Sequence, residues 1–135
     1  YFSTTACNYT FKNLKVKSTY QFRVQAVSPF GAGAYSATVS KQALPPTPGS
    51  VKVQRISAKS AKVSWSKSQG FTGYYILRST DKNFKKNVKK ITVKSNKALS
   101  YTDKSVKKGT HYYYKVCRYT GKTGGSYSKT VSVKI

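Results

Sequence analysis

Acidic side chains are almost absent from this sequence of 135 residues. Aspartate and glutamate number 2 together, against 26 lysines and arginines and a single histidine, so the formal net charge is +24. General acid–base catalysis depends mostly on carboxylates and imidazoles, and a catalytic carboxylate pair would have to use both Asp81 and Asp103. Asp81 falls in a predicted loop and His111 at a turn. Asp103 falls before a predicted turn, where it is expected to cap the turn or to pair with Lys104 or Lys108. The sequence therefore predicts no catalytic residue in this chain.

Metal-ligating residues are just as scarce. The only cysteines are Cys7 and Cys117, and their spacing from His111 matches no metal-ligand pattern. We therefore predict no metal and no cofactor. The sequence does not decide whether the two cysteines form a disulfide. No apolar run approaches the roughly 20 residues that a membrane span needs, so no transmembrane segment is predicted. The chain does not begin with methionine, which suggests that its start is a cut within a longer polypeptide.

The basic residues are mostly lysines, since the only arginines are Arg23, Arg55, Arg78 and Arg118. Lysine is a point charge without the planar fork that reads base edges, so sequence-specific nucleic-acid binding is not expected. An excess of positive charge favours anionic partners, such as cell-wall polymers, acidic glycans or nucleic acid bound without specificity. The alternative is that the lysines only solvate strand faces and protect sheet edges from aggregation.

The densest basic run lies between residues 82 and 97. If residues 90–94 form a strand, Lys90 and Lys94 share one face, and Ile91 and Val93 lie on the other. Phe84 is the only aromatic residue within the run, which is poor for stacking single-stranded bases. The candidate residues for binding an anionic polymer are Lys82, Lys85, Lys86, Lys89, Lys90, Lys94 and Lys97.

The chain repeats itself at an offset of 92 residues. The register holds without a gap from about residue 9 to residue 41, and its matched pairs include Tyr9 with Tyr101, Tyr20 with Tyr112, Val24 with Val116, Gly33 with Gly125 and Ser36 with Ser128. The matched residues form the C-terminal part of the second copy. We therefore predict the C-terminal half of one module (strands E–G) over residues 1–43, a Pro-rich linker over 44–49, and a complete module over 50–135.

Alternation with a period of two predicts strands in both parts. The predicted inward-facing sets are Tyr20, Phe22, Val24 and Ala26; Ala61, Val63 and Trp65; Tyr74, Ile76 and Arg78; and Tyr112, Tyr114 and Val116. Further strands are predicted over 90–94 and 131–135. Seven short strands from about residue 47 onward, turn residues at regular intervals and no helix predict an all-β, antiparallel β-sandwich.

Several motifs resemble those of fibronectin type III domains. Val63-Ser64-Trp65 resembles strand B, Gly73-Tyr74-Tyr75-Ile76 resembles strand C, and the stretch from Val106 through Gly109 to Val116 resembles the entry to strand F. The resemblance implies an immunoglobulin-like sandwich in which Trp65 is buried, and in which Tyr20 and Tyr112 form tyrosine corners. Two residues depart from the family pattern, since Arg78 and Arg118 stand at inward-facing positions. They are expected to reach the rim of the sandwich or to pair with an acid.

The second module also resembles repeats of secreted and surface proteins of Gram-positive bacteria. That resemblance implies a non-catalytic accessory or spacer region of a larger extracellular protein, located outside the cell or on the cell wall. One alternative is a C-terminal appendage of a secreted hydrolase whose active site lies upstream, and another is a nonspecific nucleic-acid-binding module. The expected partners are an anionic cell-wall polymer or acidic glycan, and an upstream segment or cleaved fragment that completes the first module.

Overall fold

The computed structural model describes all 135 residues, which form two compact units, Tyr1–Ala43 and Leu44–Ile135. The first unit contains β1 (Thr19–Phe22), β2 (Gln25–Ser28), β3 (Gly31–Tyr35) and β4 (Val39–Gln42). The second unit contains β5 (Lys52–Ser57), β6 (Ser60–Ser64), β7 (Gly73–Ser79), β8 (Lys89–Val93), β9 (Ser100–Asp103), β10 (His111–Thr120), β11 (Thr123–Gly124) and β12 (Val131–Lys134). There is no helix, and the predicted all-β antiparallel class is confirmed.

The second unit is a sandwich of two antiparallel sheets. One sheet has the order β5-β6-β9, and the other has the order β11-β10-β7-β8, with β12 also paired to β10. The inward-facing residues from both sheets form a single core, as the alternation predicted. The buried core consists of Ala61, Val63, Trp65, Phe71, Tyr74, Ile76, Ile91, Val106, Tyr112, Tyr114, Val116 and Ile135.

The first unit reproduces strand pairs and backbone hydrogen bonds of the C-terminal part of the second unit, at the offset of 92 residues. Strand β1 pairs Tyr20 with Lys41, and β10 pairs Tyr112 with Val133. The backbone amide of Lys17 donates to the carbonyl of Ala43 at 2.8 Å, and its equivalents 92 residues on make the same bond at 2.7 Å. Lys17 has a φ of 71° where its equivalent, a glycine, has 79°. The repeat therefore extends from side chains to backbone conformation.

The first unit, however, has no core. None of residues 1–43 is buried, and Val24 is 73% exposed. The predicted continuous strand with one buried face over residues 20–26 is therefore wrong, because the chain leaves the ladder between β1 and β2. The equivalent strand β10 is continuous because β7 pairs with it along seven residues, from Tyr113 to Tyr119. No strand takes that position beside β1 and β2.

The segment equivalent to β9 shows the same dependence on a partner. Residues 8–11 align with β9 at the 92-residue offset, but they form no strand. In the second unit, β9 pairs with β6 along its whole length. A strand without a neighbour leaves its backbone groups to water and gains no ladder, so these residues stay irregular.

Candidate polyanion-binding surface

The basic run begins in a tightly bonded loop between β7 and β8. The carboxylate of Asp81 accepts a hydrogen bond from the backbone amide of Lys85 at 2.8 Å, and the Ser79 hydroxyl accepts one from the Asp81 amide at 2.9 Å. The bond from Lys85, together with the nearby lysine charges, lowers the pKa of Asp81 below its ordinary value. The one acid beside the run is therefore held by its own loop, and its single charge offsets only a small part of the charge of the run's lysines.

The structure exposes every lysine of the predicted run but does not place them on one face. Lys82, Lys85, Lys86, Lys89, Lys90, Lys94 and Lys97 are all exposed. Within β8, Ile91 points inward and is 8% exposed, so Lys90 projects from the outer face of the sheet. Lys89 has the opposite parity, and its ammonium lies 3.5 Å from the Ser105 hydroxyl. Alternation therefore separates neighbouring lysines of the run.

The outer face of β7, β8 and β10 carries lysines held over aromatic rings. The Lys90 ammonium lies 3.6 Å from the centroid of the Tyr75 ring. The Lys115 ammonium lies 4.3 Å from the centroid of Phe84 and 5.3 Å from that of Tyr127. We call this surface the lysine–aromatic face. Lys90 was predicted because it belongs to the local run of lysines, but Lys115 was not predicted. The alternation within β10 places Lys115 on the outer face, and this pattern could have indicated it.

The second acid, Asp103, is buried at the end of β9. Its carboxylate accepts hydrogen bonds from the Arg78 guanidinium at 2.9 Å, from the Ser105 hydroxyl at 2.7 Å and from the Tyr114 hydroxyl at 3.2 Å. The Ser105 amide also donates to it at 2.9 Å, which is the turn cap that the sequence predicted. Burial raises the pKa of Asp103, but the bonds from Ser105 and Arg78 outweigh burial and hold it below the ordinary value.

The partner of Asp103 differs from the predicted lysines. Pairing with Lys104 or Lys108 was the alternative to the turn cap, but both lysines are exposed, and the only salt bridge of the chain joins Asp103 to Arg78. Arg78 reaches the acid because it faces inward from β7, in the opposite sheet. Its planar guanidinium is more weakly hydrated than a lysine ammonium, so burying it costs less hydration free energy. Arg78 therefore takes the acid-pairing role that was one of its two expected roles.

Arg118 takes neither expected role. It is 5% exposed, and its guanidinium donates to the backbone carbonyls of Pro46 at 3.1 Å and Thr47 at 3.3 Å. Pro45 and Pro48, at the start of the second unit, are buried. A side chain at Gly125 would collide with the carbonyl of Pro45, so this position accepts only glycine at such close approach. The proline-rich segment is therefore anchored on the sandwich of its own unit.

Each of the three residues with a predicted structural role makes a side-chain hydrogen bond to the backbone. Trp65 is 4% exposed, and its indole nitrogen donates to the carbonyl of Ala98 at 2.9 Å. The Tyr112 hydroxyl accepts a hydrogen bond from the Lys107 amide at 3.1 Å, and the Tyr20 hydroxyl accepts one from the Lys15 amide at 2.9 Å. Both bonds span five residues and have the geometry of a tyrosine corner.

We expect Tyr112→Phe to lower the free energy of unfolding of the second unit by about 1 kcal/mol, the usual contribution of one hydrogen bond. The ring stays in the core, so only the bond to the Lys107 amide is lost. Chemical denaturation measures the difference. Tyr113→Phe is the matched control, because Tyr113 lies on the outer face and its hydroxyl has no protein partner. Equal losses in both variants would contradict the corner role.

The remaining candidate residues for chemistry do not converge. His111 begins β10, is exposed, and stacks on Tyr113 with ring centroids 4.8 Å apart. Both cysteines are free; Cys7 is exposed, and burial raises the pKa of the Cys117 thiol. No cluster of three histidine, cysteine or acidic side chains occurs. No helix with the length and hydrophobicity of a membrane span is present.

The model of the fibronectin type III domain family matches residues 45–134. A crystal structure of the FN1–FN3 domains of chicken CNTN1 is 25% identical over 93% of this chain, with a TM-score of 0.59. This chain spans 45% of the length of the FN1–FN3 chain in that structure. No curated protein sequence matches the chain.

Two further structures share the fold. An Fn3-like protein from Clostridium thermocellum is 24% identical, with a TM-score of 0.57; the match covers 68% of this chain and 94% of that protein. A segment of two such domains from chicken tenascin is 14% identical, with a TM-score of 0.59; the match covers 87% of this chain and 65% of that segment.

Proposed function

Because the chain belongs to the fibronectin type III family, whose domains are typically non-catalytic modules common in extracellular proteins, we propose that it is an accessory region that associates with anionic polymers. The observation that carries this proposal is the imbalance of charge at the surface. The two acids are bonded within the second unit, to Arg78 and to the Lys85 amide, while the lysines of residues 82–97 are exposed. A polymer of phosphates, carboxylates or sulfates would supply the missing countercharge.

A cell-wall or extracellular location fits this proposal. Anionic wall polymers and acidic glycans are abundant outside cells, and a module that binds them through many exposed lysines would hold a neighbouring domain at the wall. The same arrangement serves a secreted hydrolase, since the catalytic residues would then lie in another domain. Both versions predict the same behaviour of this chain toward an anionic polymer.

We also propose that residues 1–43 are the C-terminal half of a preceding module. The support is the matching of backbone bonds at 92 residues, together with the absence of any buried residue in the first unit. Its exposed apolar side chains include Phe2 at 71%, Tyr9 at 48% and Val24 at 73%. Burying each such side chain is worth about 1.5–3 kcal/mol. An upstream segment, or a separate fragment of the same protein, would cover them and pair with β1 and β2.

The polymer proposal predicts salt-dependent retention. The chain is expected to bind an immobilised anionic polysaccharide at low ionic strength and to elute near 1 M salt, where the Debye length falls to about 3 Å. Column retention measures this, with uncharged dextran as the matched support. Chemical acetylation of the lysines removes their charge and is expected to abolish retention. Absence of retention at low ionic strength would refute the proposal and leave a simple spacer.

A further inference from the structure

We infer that the lysine–aromatic face is a specific binding site for an acidic glycan, an inference that rests on the proposed function. Leu77 lies at the centre of the face, paired with Lys90 on β8 and with Lys115 on β10. The two lysines therefore stand in one row across three strands, with backbones separated by two strand spacings, roughly 10 Å. No acid lies on these three strands, and the buried Asp103 belongs to β9 in the other sheet.

The rings fix the positions of both cations. The Lys90 ammonium rests on Tyr75, and the aromatic side chains of Phe84 and Tyr127 flank Lys115, which is half-buried. An ammonium held over a ring has already lost part of its side-chain freedom, so binding an anion costs less entropy than it does at a free lysine. The other exposed lysines of the chain lack such a ring. Affinity should therefore concentrate at Lys90 and Lys115.

The first unit carries the same device. The Arg23 guanidinium lies 4.0 Å from the centroid of the Tyr35 ring, and these residues match Lys115 and Tyr127 at the 92-residue offset. Each unit thus pairs a cation with the equivalent tyrosine, Arg23 lying between β1 and β2 and Lys115 within β10. A feature built twice in one chain suits a repetitive polymer, which can contact successive modules and gain from multivalency.

The arrangement favours a glycan over single-stranded nucleic acid. Stacking of bases needs free ring faces. Tyr75 stacks on Tyr119 with centroids 4.3 Å apart while Lys90 covers its ring, and Tyr113 stacks on His111. The ring of Tyr75 is therefore covered within the module, and His111 covers one face of Tyr113. Cations and tyrosine hydroxyls remain for the ligand, and these suit the carboxylates or sulfates and the hydroxyl groups of an acidic sugar chain.

The test compares two double variants of the full chain that lose the same charge. Lys90→Ala with Lys115→Ala removes both ring-held cations, whereas Lys52→Ala with Lys62→Ala removes two exposed lysines from the outer face of the other sheet. Binding to polygalacturonate and to poly(dT) is measured at fixed ionic strength. We expect the first double variant to bind polygalacturonate about tenfold more weakly, as for two lost charge-assisted contacts, and the control within about twofold of the original chain. Lys90→Arg with Lys115→Arg should retain binding.

The outcomes separate this inference from the proposed function. If both alanine variants lose affinity for polygalacturonate equally, binding is by general charge and the site does not exist. If the Lys90 and Lys115 variant loses poly(dT) affinity as selectively as it loses glycan affinity, the assignment to a glycan is wrong. If the arginine variant loses binding as fully as the alanine variant, ring-held charge is not the cause. If the unaltered chain binds neither polymer, the proposed function itself fails.

Discussion

Asp103→Asn is expected to lower the free energy of unfolding of the second unit by about 3 kcal/mol, the lower end of the range for removing one partner of a buried ion pair. The side chain of Asp103 is 1% exposed and that of Arg78 is 14% exposed, so the substitution leaves a guanidinium charge largely buried without its counterion. The hydrogen bonds from Ser105 and Tyr114 would also lose their charged acceptor. Urea denaturation followed by tryptophan fluorescence measures the loss, since Trp65 lies in the same core.

Asp81→Asn is the matched control, because it removes the same charge from an exposed loop while keeping an acceptor for the Lys85 amide. We expect the control to change stability by less than about 0.5 kcal/mol. A loss in the Asp103 variant no larger than that of the control would contradict a stabilising role for the pair.

The same pair predicts a pH dependence of stability. The folded-state pKa of Asp103 lies below its ordinary value. Its contribution is therefore complete above the unfolded-state pKa, near pH 4, and is lost as the pH falls through the folded-state value. The difference in stability between the original chain and Asp103→Asn should stay constant from neutral pH to about pH 4 and shrink below it. A difference that disappears nearer neutral pH would contradict this assignment.

The second large effect is expected in proteolysis of the whole chain. Trypsin should remove most of the first unit rapidly and leave a resistant fragment close to the second unit, because the first unit has no buried residue to hold it against local opening. The second unit offers more lysines to the enzyme, but most of them stand on paired strands or bonded loops. Mass spectrometry of timed digests identifies the surviving fragment.

Amide hydrogen exchange offers an internal control for the same prediction. Residues 92 apart make equivalent bonds, such as the amides of Val24 and Val116, which both donate to a serine hydroxyl. We expect the amide of Val24 to exchange orders of magnitude faster, since only Val116 lies on a strand paired on both sides and inside a core. Equal protection at the two positions, or a protease-resistant first unit, would show that it needs no further strands.

The fold was predictable because alternation and the 92-residue repeat carry most of the information about it. Buried Ala61, Val63 and Trp65 and exposed Lys62 follow directly from period two, as does the outward position of Lys90. The same alternation was misleading at Val24, which has inward parity but is exposed. A periodic pattern shows which side chains share a face, but it does not supply the sheet that covers them.

The candidate site was only partly predictable. A run of neighbouring lysines is visible in the sequence, but Lys115 and Tyr75 lie outside that run and far from each other. They join Lys90 because β10, β7 and β8 are adjacent in one sheet. The pairing of Arg78 with Asp103 was also open among several basic residues, since two sheets must pack together before their inward-facing side chains meet.

By itself, the sequence determined the scarcity of acids, the class of fold, the repeat and the side chains that share a face of each strand, because these are properties of composition and short-range periodicity. Only the tertiary structure decided that the two acids are bonded within the second unit, that Arg118 holds the proline segment, and which lysines rest on aromatic rings. Apart from the local bond between Asp81 and Lys85, these contacts join residues distant in sequence, and strand pairing and sheet packing set them. The composition shows that acids are scarce. Only the fold shows that both acids are bonded within the second unit and that the surface lysines form no salt bridge.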